Sequence, residues 1–122
     1  MLRRFRRGLH WARALRHSRA ADVADALVEI RKIEGMGLLR AYEKAFKAGL
    51  LLRLGDYDSA ERLFSDVMRT TSGSERADDR YVNIYSGFVL AEMRGEIESE
   101  EDLKEQARRV ACRAILRRWL PL

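Results

Sequence analysis

The stretch Leu52–Phe64, LRLGDYDSAERLF, places Gly-Asp-Tyr-Asp between two apolar-rich segments. Gly55 suits the left-handed backbone with which helices commonly end. Asp58 followed three residues later by Glu61 has the spacing of a capping box at a helix start. A helix that stops at Gly55 and another that begins at Asp58 are joined too tightly for anything but a hairpin. The elbow therefore predicts antiparallel helices.

Helical periodicity extends outward from it in both directions. A first helix is expected over about 2–18, and a second from Asp22 to about Glu34, with Val23, Leu27, Ile30 and Ile33 inward and "GMG" (Gly35–Gly37) as its stop. A third runs from about Leu38 to Leu54, burying Leu38, Tyr42, Ala45, Phe46, Gly49 and Leu50. The fourth turns Leu63, Phe64 and Val67 inward, and "TTSGSERADD" (70–79) is loop chemistry. The fifth, about 77–94, presents Tyr81, Ile84, Tyr85, Phe88 and Leu90 and closes at Gly95. A sixth starts at Ser99, with Glu101 and Asp102 in its first turn where the helix dipole favours acids, and continues to about Trp119. No stretch alternates as a strand does. The fold class is all-α, with five to six helices.

The elbow has a second, looser copy. GDYDSAE (55–61) lies over GEIESEE (95–101): Gly55 on Gly95, Tyr57 on Ile97, Asp58 on Glu98, Glu61 on Glu101. Matching chemistry at a fixed offset, here forty residues (55 to 95), suggests two copies of one helix–turn–helix unit. The bulky Tyr57 or Ile97 is expected to plug its hairpin.

The first copy resembles the tetratricopeptide repeat, a pair of antiparallel helices stacked into a solenoid. Gly55, Tyr57, Ala60 and Phe64 fit the family's four places around the turn, Leu51 an apolar place before them, and Ala48 the small-residue place. Lys44 stands where the family prefers Trp, Lys47 where it prefers Leu, and Ser72 where Pro often ends the unit. In the second copy Glu100 replaces the small Ala and Phe88 the other small residue, and the spacing is forty where the family uses thirty-four. The resemblance covers 41–74 well and 81–107 loosely. It implies stacked helical hairpins that act by binding. Two units need caps or another chain to complete the buried surface.

Composition agrees with a packed helical chain: 47% apolar residues support a core, and no apolar run approaches the roughly 20 residues of a membrane span. The single cysteine, Cys112, forms no internal disulfide and points to a reducing, cytoplasmic compartment. The net charge of +5 conceals a segregation. Residues 1–20 carry Arg3, Arg4, Arg6, Arg7, Arg13, Arg16 and Arg19 with no acid, and 108–118 carry five more arginines, so two basic ends flank an acidic middle.

The chain divides into a basic N-terminal helix or arm, 1–20, and a helical-repeat-like domain, 21–122. At 100° per residue Leu2, Phe5, Leu9 and Ala12 share one side of the first helix, with Arg16 among them and Trp11 and Leu15 elsewhere. In the sixth, Leu103, Ala107, Val110, Ala111 and Ala114 form one apolar stripe, and Cys112, Leu116, Trp119 and Leu120 another. A helix apolar on two sides has two neighbours, a second element or a partner.

These features favour a non-enzymatic adaptor or assembly subunit that binds another protein, one with an acidic or apolar groove, or a second copy of itself. Phe5, Trp11, Leu116 and Trp119 are the candidate apolar anchors. Arg3, Arg4, Arg6, Arg7, Arg13, Arg109, Arg113 and Arg117 are the candidate steering charges. Nucleic-acid binding by the arginine-rich ends is the alternative, followed by an anionic membrane surface. An organellar presequence is a further reading of the first helix. His10 and His17 lack a nearby carboxylate in sequence, and no zinc spacing, phosphate loop or nucleophile elbow occurs, so no catalytic residue, metal or cofactor is expected.

Overall fold

A computed structural model describes residues 2–95. Within them the chain forms five helices and no strand: α1 (Leu2–Arg19), α2 (Val23–Met36), α3 (Ala41–Arg53), α4 (Tyr57–Thr71) and α5 (Ala77–Arg94). Neighbours in sequence pack as hairpins, α1 on α2, α3 on α4 and α4 on α5, while α3 also touches α2 and α5. The all-α reading holds. The expected sixth helix, with the second elbow beyond Gly95, lies outside the described residues. No described helix is long and apolar enough to cross a membrane.

The elbow at Gly55 is closed by backbone geometry. Gly55 takes φ 85°, its N–H donates to the Leu52 carbonyl at 3.0 Å, and the Asp56 N–H donates to the Leu51 carbonyl at 2.9 Å. This pair of bonds is the Schellman ending, which satisfies carbonyls that the helix leaves open. Asp56 then caps α4: its side chain accepts from the Ser59 N–H at 3.3 Å. The cap is therefore Asp56, not Asp58, and the helix begins at Tyr57. A single residue closes one helix and opens the next.

The same elbow occurs upstream. Ala21 takes φ 60°, its N–H donates to Ser18 at 3.2 Å, the Asp22 N–H donates to His17 at 2.8 Å, and the Asp22 carboxylate accepts from the Asp25 N–H at 3.4 Å. The offset is 34 residues, 21 to 55 and 22 to 56. The core repeats with it. Ala14, Ala26, Ile30 and Ile33 fall on Ala48, Ala60, Phe64 and Val67, and all eight are 0% exposed. Arg53, at the end of α3, donates to Ser18 Oγ at 3.0 Å and so ties one elbow to the other. Among the described residues, an elbow that matches Gly55–Asp56 bond for bond thus lies 34 residues earlier, while the copy expected forty residues later lies beyond them. Gly95 does close α5 in the left-handed region, at φ 68°.

The lysines at the departures from the repeat pattern are used. Lys44 reaches Asp66 of α4 at 2.9 Å and Lys47 reaches Glu34 of α2 at 2.7 Å, so charges hold α3 to both neighbours at its half-buried margins. Two boundaries differ from expectation. Gly35 lies inside α2, and Gly37 alone ends it. Leu38 precedes α3 and is 93% exposed, because α3 starts at Ala41, where Glu43 accepts the Arg40 N–H at 2.7 Å.

Candidate partner-binding cleft

The chemistry collects where the N-terminal half of α1 meets the first turn of α3. Trp11 holds the two together. Its ring stands edge-on to Tyr42 at 5.3 Å and to Phe46 at 5.0 Å, and the residue is 8% exposed. Trp11 is therefore a core residue and not a partner anchor. The 100° rotation per residue puts Trp11 and Ala14 on the inward side, and turns Leu2, Phe5, Leu9 and Ala12 outward.

One turn before Trp11, Arg7 also points inward. It donates to Glu43 Oε1 at 2.5 Å and to the Leu38 carbonyl at 2.9 Å. Glu43 is almost fully buried, and it accepts from both the Arg7 guanidinium and the Arg40 backbone. A buried carboxylate is tolerated only with such partners. Arg7 is a brace for α1 and not a free steering charge.

Above this brace lies a cleft of about 380 Å³, lined by Arg4, Gly8, Arg40 and Tyr42 and floored by Arg7, Trp11 and Glu43. Gly8 leaves its wall without a side chain. Arg40 donates to the Tyr42 hydroxyl at 3.2 Å, a contact that, ahead of Glu43's charge, holds the guanidinium above its ordinary range. Three arginines face one carboxylate here, so the cleft is net positive with an aromatic wall. Guanidinium groups offer paired donors that match a carboxylate. The Arg3 guanidinium lies close to Gly37, and Arg3, Arg4, Arg6 and Arg13 have no acidic partner among the described residues.

Of the other residues singled out in the sequence, Phe5 is 70% exposed on the far side of α1. Arg109, Arg113, Leu116, Arg117, Trp119 and Ile97 lie outside the described residues. In the elbow, Ala60 and Phe64 are buried as expected, but Tyr57 is 61% exposed and plugs nothing. It lines a second cleft of about 350 Å³ with Leu52, Val89 and Met93. Glu61 reaches across to Arg94 at 2.8 Å, which clips α4 to α5.

The histidines are not remote from carboxylates in space. His10 Nδ1 lies 2.6 Å from Glu29 Oε2 of α2, and His17, Asp22 and Asp25 bring ligand atoms within 4.8 Å of one another at the first elbow. Burial pushes the Glu29 carboxyl up, but hydrogen bonds from His10 and Lys32 outweigh it and hold it below the usual range. Arg40, Tyr42 and Glu43 carry little signal in the sequence, because no Ser, Thr, Asp or Asn marks the start of α3. The Arg40-to-Glu43 spacing is the one available sign.

Compared with family models, with curated proteins and with solved structures, the chain gives no match.

Proposed function

We propose that this chain is a short tetratricopeptide-like adaptor that binds an acidic segment of another protein in the cleft between α1 and α3. The observation that carries the reading is the cleft itself: Arg4 and Arg40 beside Tyr42, braced from beneath by the Arg7–Glu43 pair. The brace holds the binding groups in place before a partner arrives, which reduces the ordering cost of association. Kinship with the repeat family is supported by the two elbows 34 residues apart and by the matching small and apolar core positions. A reducing, cytoplasmic compartment belongs to the same proposal, on the strength of the single cysteine.

Selection of random peptides on the intact chain tests it. Enrichment of Asp and Glu is expected, with binding that weakens about tenfold in Arg40→Glu and falls with added salt. Selected peptides without an acidic bias, or indifferent to Arg40→Glu, contradict it.

A further inference from the structure

The outer face of α1 is a separate feature from the cleft. Leu2 is 73%, Phe5 70% and Leu9 39% exposed, and at 100° per residue they fall within an arc of about 60°. Over their length of roughly 10 Å they form an apolar ridge that no described residue covers. Ala12 continues one edge of it. Arg6 and Arg13 follow the other, and Arg16 stands on the ridge line two turns beyond Leu9. Helix α1 contains no acidic residue, and none of these three arginines has an acidic partner among the described residues. Helix α1 packs chiefly on α2, and among the described residues nothing stands over this side.

Two occupants are disfavoured by charge and shape. A second copy would bring the same arginines against each other across the contact. A bare polyanion such as RNA would satisfy the arginines but would leave Leu2 and Phe5 in water. An apolar ridge edged with guanidinium groups matches a surface that is anionic outside and apolar beneath. Arginine can lay its stem along the acyl boundary while its head stays with phosphate.

We infer that the outer face of α1 binds an anionic membrane surface, Leu2, Phe5 and Leu9 entering the acyl boundary and Arg6, Arg13 and Arg16 meeting lipid phosphates. The helix lies in the plane of the membrane, and the cleft, on its other side, remains open to a partner. The adaptor then works at the membrane. This inference stands on α1's outer face alone, whatever the cleft binds.

Co-sedimentation of the full chain with phosphatidylcholine vesicles, with and without phosphatidylglycerol, tests it. Binding to the anionic vesicles, none to the neutral ones, and release by salt are expected. Phe5→Ser is expected to weaken vesicle binding about tenfold, and Arg6→Glu with Arg13→Glu to abolish it. Phe5 and Arg6 are exposed and Arg13 is half-buried with no acidic partner among the described residues, so helical circular dichroism is expected not to change and is measured alongside. Retained vesicle binding in Phe5→Ser paired with Leu2→Ser would mean charge alone, as for RNA, and would overturn the inference. Equal binding to neutral vesicles, or no binding to anionic ones, would overturn it too.

Discussion

Ala21 and Gly55 hold the same left-handed place in two successive elbows, each followed by an aspartate that ends one helix with its backbone and begins the next with its side chain. Only one of the two is the residue that this backbone favours. A side chain in the left-handed region costs roughly 1–2 kcal/mol. Ala21→Gly is therefore expected to stabilise the protein by about 1 kcal/mol, and Gly55→Ala to destabilise it by a similar amount. Urea unfolding of the two variants checks both signs.

The caps separate the observed elbow from the one the sequence suggests. Asp56→Ala and Asp22→Ala should each cost about 1 kcal/mol, the usual value of a side-chain N-cap. Asp58→Ala, at an exposed first-turn position with no cap bond, should cost only a few tenths. Thermal unfolding of the three variants ranks them, and an Asp58 effect as large as that of Asp56 would contradict the assignment.

Much of the fold is legible in the sequence because it is written locally. Helix spans, the inward Leu27, Ile30, Phe64 and Val67, and the stop at Gly95 all follow from period and turn chemistry. The match between the two described elbows is hidden because Ala21, a good helix former, occupies the left-handed position that Gly55 holds in the other. Trp11 is ambiguous for another reason. A basic, aromatic helix has two sides that could each be called apolar, and only Tyr42 and Phe46, some thirty residues away, decide which is buried. The cleft is the least legible part, since Arg4, Gly8, Arg40 and Tyr42 come together through packing and share no motif.

Beside the Trp11 ring contacts, Glu43 supplies the polar half of the α1–α3 contact. Glu43→Ala removes the acceptor for both the Arg7 guanidinium and the Arg40 N–H and leaves a half-buried cation unpaired. A loss of about 3 kcal/mol is expected. Glu43→Gln keeps an acceptor for the Arg40 N–H and should lose less. Denaturation midpoints give the comparison. If both variants were neutral, Arg7 would not be acting as a brace.

Acid should loosen the stack. Hydrogen bonds from Lys44 and Arg69 hold the Asp66 carboxyl below its usual range, and those from His10 and Lys32 do the same for Glu29 against its burial. A carboxyl whose folded value lies below its unfolded one stabilises above the unfolded value, near 4 for these groups, and loses that contribution as pH falls through the folded value. Stability is expected to hold between about pH 5 and 7 and to fall below about pH 4. The fall should be shallower in Glu29→Gln. Urea midpoints across pH would show it, and a rise in stability on acidification would contradict the expected sign.

Binding of an acidic segment between α1 and α3 is tested most directly by nuclear magnetic resonance. The probe is a synthetic peptide alternating glutamate with leucine and tyrosine, titrated into the isotope-labelled chain. Amide shifts confined to Gly8 and to Arg40–Glu43, and lost in Arg40→Glu, are the expected result. Shifts centred on Tyr57 and Met93, or none at millimolar peptide, would contradict it.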